Sequence, residues 1–134
     1  MKLLGSDGAI CYHPAMQIRR QAENGITVVI LEGRLDATAA PEAQRAFSDV
    51  LTEGVRHVLV DLSGVEYVSS GGIRAIVMLY KGVERENGEV KLCGLTPFVA
   101  EVFEITNLKA MFEICTTREA GLRSFGSPEV QPPR

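Results

Sequence analysis

The chain has 134 residues, 46% hydrophobic and 23% charged, enough for one domain with a buried core. Its 14 basic and 17 acidic residues are well mixed and leave a formal charge of −3, which gives nucleic acid or an anionic membrane no electrostatic footprint. No run approaches the roughly 18 apolar residues of a membrane span, and Gly5-Ser6-Asp7-Gly8 interrupts any secretory apolar segment. The three cysteines, Cys11, Cys93 and Cys115, lack paired spacing. Cys93 and Cys115 lie in apolar runs and read as small buried hydrophobes. These features together point to the cytoplasm.

Residues 1–15 show no sustained period and are expected to form a mobile leader. Met16 to Arg20 alternates apolar and polar, a half-exposed strand. Asn24-Gly25 is a hairpin signal, and Ile26 to Leu31 is a second strand antiparallel to the first. A helix is expected from Thr38 or Ala39, with Pro41 in its first turn and Ala43, Ala46, Phe47, Val50 and Leu51 on its apolar face. Val58 to Leu62 reads as a strand buried on both faces and parallel to the previous one, closed by a turn at Ser63-Gly64. From Gly71 to about Asn87 the period becomes helical, with Ile73, Ile76, Val77, Tyr80 and Val83 in one stripe. Val90 to Cys93 is a short strand, and Thr96-Pro97 opens a helix carrying Val99, Val102 and Phe103. Met111 to Cys115 is a last strand, and Thr116-x-x-Glu119 has the capping-box form before a final helix. The tail 126–134 is expected to be disordered. The sum is an α/β domain over 16–125, of order β-β-α-β-α-β-α-β-α, with a small, mostly parallel mixed sheet and packed helices.

Function is expected where the strand at 58–62 gives way to a helix, because open α/β sheets meet their ligands at the carboxyl ends of strands. Ser70 stands there at an N-cap position. It has two readings: a plain cap, or a phosphate acceptor that the free N–H groups and dipole of the helix would tolerate. Gly71 and Gly72 present no side chains, so a partner's nucleotide could approach the hydroxyl closely. Arg74, one turn on, either faces Ser70 or is simply solvated. Asp36 should emerge on the same sheet edge, to polarise a hydroxyl, bind a partner's cation or cap the following helix. Asp61, inside an apolar strand, needs hydrogen bonds and reads as structural. A nucleophilic serine is not expected, since there is no G-x-S-x-G elbow and His57 lies at the far end of its strand. His13 and His57 have no partners at ligand spacing, so neither a metal nor another cofactor is expected.

GRLD at 33–36, VDLSGVEYVSSGGI at 60–73 and LCGLTPFVAEVFEITNL at 92–108 together resemble STAS domains, specifically bacterial anti-sigma factor antagonists. The resemblance implies a small α/β protein that binds an anti-sigma factor and so frees a sigma factor. It implies phosphorylation by an ATP-dependent serine kinase, the anti-sigma factor itself, and reversal by a serine phosphatase. The acceptor serine corresponds to Ser70, with Ser69 as second choice, and Asp36 matches the family's acidic residue. The partner surface would comprise Asp36, Ser69, Ser70, Gly71, Gly72 and Arg74. Val68 stands where the family generally has Asp, and Gly72 where Leu is common. An alternative within the same resemblance is an unphosphorylated STAS scaffold subunit of a transport or stress-signalling assembly.

Overall fold

The computed structural model describes residues 8–125. Six strands form one sheet in chain order: β1 (Gly8–His13), β2 (Met16–Glu23), β3 (Ile26–Leu35), β4 (His57–Val68), β5 (Glu89–Cys93) and β6 (Glu113–Cys115). The first three are antiparallel neighbours, and β3-β4-β5-β6 run parallel. Among the described residues, helices α1 (Ala40–Thr52), α2 (Ser70–Arg85) and α3 (Pro97–Ile105) connect the parallel strands, a 3-10 turn at Leu108–Ala110 follows α3, and α4 (Arg118–Ser124) follows β6. The expected class and the parallel strand–helix–strand units are present. Residues 8–13, expected within the leader, belong instead to the sheet as β1. Residues 1–7 and the expected disordered tail at 126–134 lie outside the described residues.

Strand alternation divides the interior in two. Val29 and Leu31 of β3, and Val58 and Val60 of β4, join Phe47 of α1 and Leu79 of α2 in the larger core, which also includes α3 through Val99 and Phe103. The intervening positions Val28, Ile30 and Leu59 meet Leu122 of α4 and Phe125 on the other side. The β2–β3 hairpin closes through Asn24 and Gly25, both at positive φ (53° and 81°), the backbone that a two-residue turn of the favoured hand requires.

The strand at 58–62 is longer than expected. β4 runs for 12 residues, and Ser63-Gly64 is not a turn. Against β3 the register gains one residue on β4 between Asp61 and Gly64 and another between Val65 and Tyr67, as two bulges would give. Asp61 supports the first by accepting hydrogen bonds from the Ser63 N–H (2.9 Å) and hydroxyl (2.7 Å). Because of these extra residues Leu62, Val65 and Val68, spaced by three, all reach the larger core. Asp61 also accepts from Arg118 Nε of α4 at 2.8 Å, in keeping with its structural reading. Burial alone would raise the Asp61 pKa, but the Ser63 donors and Arg118 outweigh it and hold the carboxyl below its ordinary value.

Candidate functional site

β3 and β4 end side by side, with Leu35 paired to Val68. The Ser69 N–H then donates to the Leu35 carbonyl at 2.8 Å, which ends the ladder and fixes the direction in which the chain leaves the sheet. Ser69 has extended backbone (φ −94°, ψ 171°), and its Oγ accepts the Gly72 N–H at 3.2 Å. The N-cap of α2 is therefore Ser69, one residue earlier than expected. Ser70 is the first helical residue and is exposed, whereas Ser69 is half-buried. With the cap assigned to its neighbour, the Ser70 hydroxyl faces solvent at the positive end of a 16-residue helix.

The glycines after Ser70 have a packing cause. A Cβ at Gly72 would lie 2.5 Å from Leu35 Cγ and 3.0 Å from the Leu35 carbonyl oxygen, so α2 sits directly on the end of β3. A Cβ at Gly71 would lie 3.2 Å from Ala40 Cβ of α1, a milder crowding. Gly72 is buried and Gly71 half-buried. Gly72 thus faces the fold rather than an incoming partner, which corrects the expectation that both glycines open the approach to Ser70.

Asp36 emerges beside this edge as expected, directly after Leu35. Its Oδ1 accepts from the Thr38 N–H (3.1 Å), the Thr38 hydroxyl (2.8 Å) and the Ala39 N–H (3.0 Å), and its carbonyl accepts from Ala39 and Ala40. Of its three readings the structure shows the capping one: Asp36 shapes the entry to α1, whose own N-cap residue Ala39 has no side chain for the task. The Thr38 hydroxyl first, and the Ala39 N–H next, hold the Asp36 carboxyl below its usual range, so it is charged at neutral pH. Arg74 is exposed and makes no ion pair among the described residues. It lies one turn along α2 from Ser70, on the same solvent-facing side. Val68, where the resemblance implies a carboxylate, is an apolar side chain 5% exposed in the larger core.

One part of this edge carries no signal in the sequence. The Arg34 guanidinium lies 4.4 Å from the Tyr67 ring centroid, and Tyr67 stacks on Phe98 at 5.6 Å and 17°. Arg34 and Tyr67 are register partners immediately before the strand ends, and Phe98 is 44% exposed at the start of α3. The three residues are far apart in sequence, and only the bulged register of β4 brings Tyr67 opposite Arg34. They extend the edge from the serines to α3 with an aromatic and cationic surface. Thr96 is the N-cap residue of α3 as expected, but its hydroxyl makes no capping bond and donates to the Val65 carbonyl at 2.6 Å, tying α3 to the same strand end.

His57 begins β4, at the end away from Ser70, with its ring edge-on to Phe125 at 5.8 Å. No group of three His, Cys, Asp or Glu side chains among the described residues could hold a metal ion. No helix among them is long and apolar enough to cross a membrane.

The sequence pattern of the STAS domain matches residues 8–121. This chain belongs to the STAS domain family. The STAS domain here is 30% identical over 110 residues to BtrV of Bordetella bronchiseptica, which bears a provisional name as an anti-sigma factor antagonist; the match covers 82% of this chain and 95% of BtrV. An anti-sigma factor antagonist from Mycobacterium paratuberculosis has the same fold, with a TM-score of 0.77 at 23% identity over 85% of this chain and 97% of its own. The Bacillus cell fate determinant SpoIIAA, solved in its phosphorylated form, superposes with a TM-score of 0.66 at 19% identity over 83% of this chain and 99% of its own. The STAS domain thus groups with proteins named anti-sigma factor antagonists, a regulatory rather than an enzymatic family.

Proposed function

We propose that this STAS domain is a cytoplasmic anti-sigma factor antagonist: it binds an anti-sigma factor through the edge around Ser70, releases a sigma factor, and is switched off by phosphorylation of Ser70. The kinase in this reading is the ATP-dependent anti-sigma factor, and a serine phosphatase restores the active form. The observation that carries it is the division of labour between the two serines. Ser69 has its oxygen committed to the Gly72 N–H, while Ser70 is exposed and takes no part in capping. A phosphoryl group on Ser70 breaks no bond of the fold and lies where helical N–H groups favour negative charge. It nevertheless adds nearly two charges to the contact surface. Against an acidic or apolar partner this costs about two decades of affinity or more through repulsion and desolvation. That a solved Bacillus relative exists in phosphorylated form supports the same reading.

The scaffold alternative has one specific observation in its favour. Val68 is buried and apolar, so no carboxylate stands immediately before the serine pair. Phosphosite mapping on the protein isolated from its own cells, paired with capture of its partners, separates the two. The switch predicts a phosphoryl group on Ser70, its loss in Ser70→Ala with binding kept, and weakened binding in Ser70→Asp. An unmodified protein held in stable complexes under every growth condition would replace the switch with the scaffold. Continued phosphorylation of Ser70→Ala would move the acceptor elsewhere.

A further inference from the structure

Cys93 and Cys115 read from the sequence as unrelated buried hydrophobes, but the sheet makes them neighbours. They are Cα partners in the parallel register of β5 and β6. Adjacent strands stand about 4.8 Å apart, within the Cα separation of about 4.4–6.8 Å that a disulfide spans. Register partners in a parallel pair project to the same face. Accordingly Cys93 is buried in the smaller core beneath α4, and Cys115 packs against that cluster.

Their surroundings differ. Cys93 is fully buried, and burial first, then the nearby Asp61 carboxylate, push its thiol up to about 12; Cys115 is among the smaller contributors. Cys115 is half-buried on a three-residue strand that, among the described residues, pairs with β5 alone. An edge strand of three residues, hydrogen-bonded on one side, yields more readily to the adjustment a cross-link requires than a central strand would. On this same β5 side the Gly94 N–H, just past Cys93, donates to the Cys115 carbonyl at 3.0 Å and keeps the two strand ends together.

We propose that Cys93 and Cys115 form a reversible cross-strand disulfide when the protein meets a hydroperoxide. The reachable Cys115 sulfur attacks the peroxide, the O–O bond breaks, and a sulfenic acid and one water (or alcohol) form. The Cys93 sulfur then attacks the Cys115 sulfur, its proton passing to the displaced hydroxide to give a second water; because burial keeps this thiol protonated at neutral pH, the second step is the slow one. Two thiols are oxidised by two electrons and one peroxide is reduced by two. Neither cysteine touches the serine edge, so this chemistry is separate from the proposed phosphorylation. Oxidation would clip the edge strand β6, and the turn leading from it into α4, to the central sheet.

The test treats the reduced full-length chain carrying Cys11→Ser with hydrogen peroxide, blocks free thiols with N-ethylmaleimide, and measures intact mass and a peptide map. The expected product is a monomer lighter by about 2 Da, taking up no label, with the peptides of Cys93 and Cys115 joined and two labelled thiols returning after dithiothreitol. Cys115→Ser in the same background should give no cross-link and leave Cys93 unoxidised. Oxygen addition at Cys115 without a cross-link, disulfide-linked dimers, or two thiols still free after peroxide would each overturn the proposal. If Cys11→Ser disturbs folding, peptide mapping of the wild-type chain distinguishes the same outcomes, because the linked peptides identify the partners.

Discussion

Gly72→Ala tests whether α2 rests directly on the end of β3. The added Cβ would stand 2.5 Å from Leu35 Cγ, 2.9 Å from its Cδ2 and 3.0 Å from its carbonyl oxygen. Leu35 is completely buried, so its side chain has no solvent to swing into. Its carbonyl is equally constrained, since it accepts the Ser69 N–H that precedes the cap. Relief must come from lifting the first turn of α2, an overpacking cost of about 1–3 kcal/mol. Because neither the Leu35 side chain nor its carbonyl can yield, the upper part of that range applies, about 2–3 kcal/mol; replacing glycine by alanine within a helix returns about 1 kcal/mol, so the net loss should be about 1–2 kcal/mol. With a urea m-value of about 1.5 kcal/mol/M, the unfolding midpoint falls by about 1 M. Gly71→Ala, whose Cβ would meet Ala40 Cβ at 3.2 Å and Ser69 Oγ at an ordinary 3.8 Å, should shift it far less. A Gly72→Ala protein as stable as wild type, or more so, would refute the packing argument and return this glycine to the partner.

Ser69→Ala removes the side-chain cap of α2 and should cost about 1 kcal/mol in urea unfolding, while Ser70→Ala stays within about 0.5 kcal/mol of wild type. Equal losses at the two positions would contradict the assignment of the cap. Asp61→Asn should destabilise the fold by about 1–2 kcal/mol at pH 7 by weakening its bonds with Ser63 and Arg118. Because the folded-state pKa of Asp61 is depressed, its contribution is present above the unfolded value near pH 4 and disappears as pH falls through the folded value below it. Thermal melts across the acid range should therefore show the variant and wild type converging, and a constant gap would argue against this linkage.

Much of the fold was legible because the apolar periods of β3, α1, α2 and β5 are unbroken and their stops are strong: Asn24-Gly25 and Asn87-Gly88 both place Asn at positive φ. Several features were hidden because the deciding contact is distant. Ser63-Gly64 has turn composition, yet Asp61 supplies a local bond and β3 a long neighbour, so the chain stays extended through two bulges. Ser69 and Ser70 are equivalent caps by sequence. The Leu35 carbonyl, which holds the Ser69 N–H, selects the first. The same ambiguity recurs at Thr116-Thr117, where Thr117 rather than Thr116 caps α4 by accepting from Ala120 N–H at 3.0 Å. At the candidate site the sequence located Ser70, Asp36 and Arg74 at one strand edge. It did not reveal the packing role of Gly72, or the Arg34–Tyr67–Phe98 stack, which exists only once the strands are in register.

The seating of Gly72 against Leu35 has a kinetic consequence. With backbone meeting side chain and no flexible spacer between them, the first turn of α2 is held in place before any partner arrives. On the proposed reading, an anti-sigma factor would meet a surface with this turn already ordered and would lose little free energy to ordering it. Association should then be limited by collision and orientation rather than by a slow rearrangement, so observed rates rise linearly with partner concentration without a plateau. A modification on such a preformed surface would be expressed mainly in how quickly the complex falls apart.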